Sequence, residues 1–294
     1  MNRTRGLENL VESDALFRAS LGILAAYMVV ALPPLARWSF DTRSLTPLMI
    51  HALAVAVVVY VGWSGHVTRI VRAWTPLALV PLLYVELRWI IAGAGRPHAD
   101  ALVAGWDVQV FGIAPSRTLA LEWRSQALSE LLHLCYIAYY AIVYVPPALL
   151  WWKARHREFA ASVLAIVIMY VLCFIAFVAF PVDGPRFLAG PSAAPDGPIR
   201  SLVIQILGAG SSRGTAFPSA HVAASVVAGI SALRFQRRLG IVILLVTAGM
   251  MVGAVYGGYH YAVDVIAGLA MGLGAAAIAR AAERAIVARS AARR

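Results

Sequence analysis

Phe159-Ala-Ala-Ser-Val-Leu-Ala-Ile-Val-Ile-Met-Tyr-Val-Leu-Cys-Phe-Ile-Ala-Phe-Val-Ala-Phe180 runs from end to end without a charged residue. About 20 predominantly apolar residues cross the hydrocarbon of a bilayer as a helix, so this stretch reads as a transmembrane span. Seven further runs resemble it: Leu16–Leu35, Leu45–Trp63, Trp74–Ile91, Leu128–Trp152, Pro218–Phe235, Leu239–Tyr256 and Tyr261–Ala279. The composition agrees. The chain has 294 residues, 61% of them hydrophobic and only 13% charged, whereas about a quarter of a soluble domain is charged. In lipid a backbone must satisfy its own polar groups, which a helix does. The predicted fold is an all-α integral membrane protein, a bundle of about eight transmembrane helices.

Charge gives the orientation. With the N-terminus in the cytoplasm, eight spans place sixteen of the 25 Lys and Arg on that side and nine on the other. The excess lies in short segments beside span ends, where the positive-inside rule acts. Both termini are therefore predicted to be cytoplasmic. The net charge of +11 has this origin, and nucleic-acid binding is excluded because no basic run is interleaved with stacking aromatics. Cys135 and Cys173 fall inside apolar runs and read as small buried hydrophobes. Residues 1–15 carry mixed charge and read as a short polar or interfacial helix, not as a cleavable signal. Oligomeric state leaves no sequence signal.

Two connections are long, Gly93–Ala127 and Val182–Gly214, and on this topology both lie outside the cytoplasm. Ala101–Phe111 and Thr118–Leu128 are predicted short helices on the membrane surface, with Trp106, Phe111 and Trp123 at headgroup level. Glu86 and Arg88 stand near the outward end of the third run. A charge inside a span points to function by default, against the simpler alternative of pairing or snorkelling. His133, Tyr136 and Tyr140 share one helical face, either as an interhelical hydrogen-bonding stripe or as the wall of a polar cleft. Gly249, Gly253 and Gly257, then Gly268 and Gly272, recur at a spacing that lets helix backbones approach closely.

Counting spans puts a set of chemically capable residues on one side of the membrane. Arg186 follows the fifth run, Arg213 precedes the sixth, Ser219 and His221 open it, and His260 and Asp264 sit where the seventh gives way to the eighth. His260 and Asp264 are four apart and stack on one helical face. A carboxylate there can hold one imidazole nitrogen and leave the other as a nucleophile. His221 can act as the acid for a leaving oxygen. Arg186 and Arg213 offer planar forks for phosphate oxygens, and helix N-termini near Ser219 and Tyr261 offer N–H donors to an anion. Together these make a phosphoryl-transfer site that needs no metal and no cofactor. A metal-dependent membrane hydrolase with His221, His260 and Asp264 as ligands is a second reading. A transporter or structural membrane protein with a vestigial site is a third.

Gly184-Pro-Arg-Phe187, Phe217-Pro-Ser-Ala-His221 and His260-Tyr-Ala-Val-Asp264 resemble the three motifs of the type 2 phosphatidic acid phosphatase superfamily. The resemblance covers roughly residues 74–280. It implies a six-helix core, with residues 1–73 adding two spans and 281–294 forming a basic cytoplasmic tail. It further implies that His260 is the phosphohistidine nucleophile, His221 the leaving-group acid, Asp264 the partner of His260, and Arg186 and Ser219 phosphate ligands. The chain departs from the family pattern at Ala179 and Phe180, where a lysine is expected, at Ala254 in place of an arginine, and at Ala220 in place of a glycine. These departures, with Asp107-xxx-Phe-Gly112-xx-Pro115 and Tyr256-xxx-His260-Tyr261, are similar to the branch containing inositol phosphorylceramide synthases. Arg213 would then replace a missing cation, with Tyr256 in the cleft beside His133, Tyr136 and Tyr140. A lipid phosphate is the implied substrate and the bilayer the implied partner, with the site facing the periplasm or cell exterior. Water or an alcohol can equally be the phosphoryl acceptor.

Overall fold

The computed structural model describes residues 2–190 and 192–292. It contains thirteen helices: α1 Asn2–Asp41, α2 Thr46–Trp63, α3 Arg69–Ala94, α4 Asp100–Phe111, α5 Pro115–Glu122, α6 Gln126–Ile137, α7 Tyr139–Trp152, α8 His156–Ala179, α9 Pro185–Ala189, α10 Pro198–Gly210, α11 Ala220–Phe235, α12 Arg237–Tyr256 and α13 Ala262–Ala292. The one sheet-like feature among the described residues is an isolated bridge between Val182 and Thr215. The protein is an all-α membrane protein.

Among the described residues six helices are long and apolar enough to span a bilayer: α1, α2, α3, α8, α12 and α13. The other two expected spans differ from expectation. The fourth is a pair, α6 and α7, bent by 44° at Ala138. The sixth, α11, has only 16 residues, because Pro218 and Ser219 lie outside the helix and Ser219 caps it. Predicted first-span limits are corrected as well. Residues 2–15 are no separate interfacial helix but the first turns of α1, which continues through Pro33 and Pro34 to Asp41. Ion pairs hold this polar end. Arg72 reaches Asp14 at 3.1 Å, Arg69 donates to Ser13 Oγ at 2.8 Å, and Arg157 pairs with Glu12.

α8, the opening stretch, is the most buried span and packs against α1, α3, α11 and α13. Phe159, Phe174 and Phe177 are fully buried on it. Between helices in lipid the gain is close packing rather than removal from water, and large aromatic side chains supply the most contact area. Glu86 on α3 is also fully buried and meets His51 Nδ1 at 2.9 Å, whose Nε2 lies 3.2 Å from the Met28 carbonyl. Glu86 thus pairs across α2 and α3. Arg88 stays exposed with its guanidinium 5.9 Å from the Trp89 ring centroid.

The recurring glycines mark close approaches, each to a different neighbour. A Cβ on Gly253 would lie 2.6 Å from the Leu132 carbonyl oxygen of α6, and one on Gly268 would lie 2.5 Å from the Ser219 carbonyl oxygen. α13 thereby seats against the N-terminus of α11. Gly268→Ala must push Ser219 away, and overpacking of this kind costs about 1–3 kcal/mol. Gly274, six residues on, has open space around its Cα. Thermal unfolding in detergent should show a lower midpoint for Gly268→Ala and an unchanged one for Gly274→Ala. Equal midpoints would mean that the α11–α13 seat is not tight.

Candidate active site

Three loops meet at one end of the bundle: Pro181–Gly184 with α9, Arg213–Ser219 ahead of α11, and Gly257–Tyr261 between α12 and α13. Val182 ties the first to the second, since its N–H bonds the Gly214 carbonyl at 3.4 Å and its carbonyl accepts from Ala216 at 2.8 Å. Gly184 has φ +92°, and a Cβ there would come within 3.0 Å of the Tyr259 carbonyl oxygen, so the first loop can lie against the third. Positive φ without a steric penalty is what glycine supplies.

Carboxylates far away in sequence hold these loops. Asp100, at the start of α4, accepts from the N–H groups of Asp183 and Gly184, each at 2.9 Å. Asp107, one helical face along, accepts from Ala262 at 3.0 Å and Val263 at 2.9 Å, the first N–H groups of α13. Glu130 on α6 does the same for α10 through Ile199 and Arg200, at 2.9 and 3.1 Å. The first N–H groups of a helix have no partner within it, and a carboxylate both satisfies them and meets the positive end of the helix dipole. Asp107 and Asp100 are therefore braces. The stretch Gly93–Ala127 packs onto the site as well as flanking it: Trp106 stacks on Phe180, with centroids 5.9 Å apart and planes at 9°.

His260 is buried in the third loop. Its Nδ1 lies 3.0 Å from the Ala216 carbonyl and 3.4 Å from Asp264 Oδ2. Both neighbours accept, so the proton resides on Nδ1 and Nε2 is left with its lone pair. Nε2 faces the Ser219 hydroxyl at 3.3 Å. Burial, with the positive charge of Arg186 adding to it, pushes the imidazole down to about 4, so the ring is neutral at neutral pH. The nearer acceptor is the Ala216 carbonyl. Asp264 Oδ2 also takes the Tyr261 N–H at 2.8 Å, closing the first turn of α13 in the manner of a capping box.

A cavity of about 410 Å³ opens beside this loop. His260, His221, Arg186, Asp183, Thr215 and Tyr259 are among the residues that line it. The His221 and His260 ring centroids are 6.1 Å apart. Arg186 hydrogen-bonds Ser211 and lies 4.5 Å over the Phe187 ring centroid. The cavity wall continues onto α3, α7 and α8 through Val80, Tyr84, Tyr139, Tyr140, Tyr144 and Tyr170. None of Tyr84, Tyr139, Tyr144 and Tyr170 stands out in the sequence. Tyrosines scattered over three spans share no local motif, and only their clustering against one cavity marks them.

Other expected site residues sit differently. Ser219 is fully buried as the N-cap of α11, its hydroxyl accepting from Val222 at 3.5 Å. Arg213 is largely exposed, pairs with Asp183 Oδ2 at 3.0 Å and is not part of the cavity wall. The cleft set divides: Tyr136 and Tyr140 line the cavity, but His133 and Tyr256 do not. His133 Nδ1 bonds back to the Ser129 carbonyl at 2.6 Å, and the Tyr256 hydroxyl donates to Trp123 at 2.9 Å. The N-terminus of α13 near Tyr261 has no donors to spare for an anion, because Asp107 and Asp264 take them. The end of α11, with Ala220 and His221, does open on the cavity.

His221, His260 and Asp264 are not gathered as a ligand set. Among the described residues the one His/Asp/Glu group with ligand atoms within 4.8 Å of each other is His98, Asp100 and Asp183. Its oxygens already accept from N–H groups: Asp183 Oδ1 meets His98 Nδ1 and the Gly214 N–H, both at 2.8 Å. That donor set fits a braced loop better than a cation.

A family model described as PAP2 superfamily matches residues 109–278. No curated protein and no solved structure matches the chain.

Proposed function

Because the chain belongs to the PAP2 superfamily, we propose that it is a membrane-embedded lipid phosphoesterase that works through a phosphohistidine on His260. The observation that carries this reading is the held imidazole: Nδ1 is fixed by Ala216 and Asp264, Nε2 is left with its lone pair beside Ser219, and the residue lines a cavity shared with His221 and Arg186. His260 Nε2 attacks phosphorus as the bond from phosphorus to the leaving oxygen breaks, and His221 gives that oxygen a proton. Water or an alcohol then loses its proton to His221 as its oxygen bonds phosphorus and the P–N bond breaks. Arg186 meets the charge on the phosphoryl oxygens, and no step calls for a metal. The apolar wall of Val80, Pro81, Val85, Ile206 and Leu207 suits the hydrocarbon part of a lipid phosphate. Asp107, Gly112 and Pro115 support placement beside the inositol phosphorylceramide synthase-like branch, with residues 74–280 as core, α1 and α2 as the addition and residues 281–294 as the tail.

Nucleophile and acid are separable by leaving group. Loss of a general acid costs about 10²–10⁴-fold, but only where the leaving oxygen needs a proton. His221→Ala should therefore lose that factor on a lipid phosphate and regain most of it on an activated aryl phosphate. Equal losses on both substrates would remove the acid role from His221.

Orientation is proposed from charge: termini in the cytoplasm, cavity mouth toward the periplasm or cell exterior. Ala193, in the loop ahead of α10, is exposed. Ala193→Cys should react with a membrane-impermeant thiol reagent in intact cells, above the background of the unaltered chain. Labelling only after lysis would invert the orientation.

A further inference from the structure

His260 has a carbonyl and a carboxylate to hold its ring. His221 has neither: among the described residues no hydrogen bond reaches its ring nitrogens. Its ring is met by two tyrosines. Tyr136, in the last turn of α6, lies with its centroid 4.9 Å away and its plane at 22°, and Tyr139, in the first turn of α7, lies at 4.3 Å and 44°. The bend between α6 and α7 falls between these two residues. Each tyrosine is itself fixed. Tyr136 packs on Tyr259 at 4.8 Å, and the Tyr139 hydroxyl pairs with that of Tyr170 on α8.

We propose that Tyr136 and Tyr139 are positioning residues that hold the imidazole of His221, through their ring faces, with a nitrogen turned into the cavity. Offset aromatic pairs at 4.5–7 Å contribute about 0.5–1.5 kcal/mol beyond burial, and an aromatic face also attracts the imidazolium that an acid must be before it donates. Both effects need the ring and not the hydroxyl. Titratable and charged groups facing the same cavity from the other elements are His260, Tyr259, Arg186, Asp183, Tyr84 and Tyr170. None of them is hydrogen-bonded to His221, which leaves the tyrosine faces as its orienting contact. The inference rests on the acid role assigned to His221 above.

The test uses the full-length protein in detergent and four variants, Tyr136→Phe, Tyr139→Phe, Tyr136→Met and Tyr139→Met, on a lipid phosphate and on an activated aryl phosphate. The Phe variants keep the ring and should lose clearly less than the Met variants on the lipid phosphate. Met variants, of similar bulk but without a ring, should lose about tenfold, the factor that 1.4 kcal/mol represents, on the lipid phosphate only. Equal loss by Phe and Met variants would assign the effect to the hydroxyls and overturn the proposal, as would equal loss on both substrates. Should a Met variant fail to fold, the unaltered protein still decides: ring currents from two tyrosines must move the His221 ring protons upfield in a histidine-labelled NMR spectrum. An unshifted resonance would overturn the proposal. Failure of the underlying reading looks different, since His221→Ala would then turn over lipid phosphate normally.

Discussion

His260→Ala should abolish turnover of lipid and aryl phosphates alike, by about three orders of magnitude or more, as when a covalent nucleophile is deleted. No other group at the cavity can replace it. His221 has no base to hold a tautomer, Ser219 is committed to the cap of α11, and Asp183 is saturated by Arg213, His98 and Gly214. Asp264→Asn should be much milder. A triad whose carboxylate alone fixes the tautomer loses about 10⁴ on that change, but here the Ala216 carbonyl, at 3.0 Å, still accepts from Nδ1, and the Asn carbonyl can still take the Tyr261 N–H. Steady-state rates of the two variants on both substrates check the ordering. An Asp264→Asn enzyme as dead as His260→Ala would make the carboxylate, and not the carbonyl, the tautomer lock.

Arg186→Ala should lower turnover by about 10²–10³, the effect of removing one preorganised donor from a site of developing charge. Arg186 is the cation in the cavity wall beside the two histidines. Arg186 also pairs with Ser211 at the end of α10, and Arg186→Lys keeps the charge but loses the planar two-point geometry of the guanidinium. The Lys variant should recover only part of the Ala loss. Arg213 supplies the contrast. It is exposed and paired with Asp183, whose carboxylate keeps its bonds to His98 and Gly214 without it. Arg213→Ala should therefore fall well short of Arg186→Ala. Parallel rates for the two would place Arg213 on the phosphoryl group after all.

The chemistry-bearing residues were legible because they interrupt apolar runs. His221, His260 and Arg186 each stand at a span end, and counting spans was enough to bring them to one cavity. The same counting does not foresee the pairing of Arg213 with Asp183, because sharing a membrane face does not decide which way a side chain turns. His133 and Tyr256 were drawn in by helical spacing, which fixes a face but not its neighbour. Asp100 and Glu130 pass unread in the sequence, and Asp107 is read only as part of a family pattern and not as a brace, for a different reason. Their partners are backbone N–H groups up to 156 residues away, and backbone donors carry no sequence signature. α1 was cut short at both ends because its polar turns looked like surface. Those at the N-terminal end are held by Arg69, Arg72 and Arg157, whose positions in the fold no local pattern reveals.

A rapid-quench experiment with radiolabelled lipid phosphate tests the phosphohistidine directly. The unaltered protein should carry acid-labile, alkali-stable label that forms and decays within one turnover, and His260→Ala should carry none. Turnover without any labelled protein, or label that survives on His260→Ala, would contradict the mechanism.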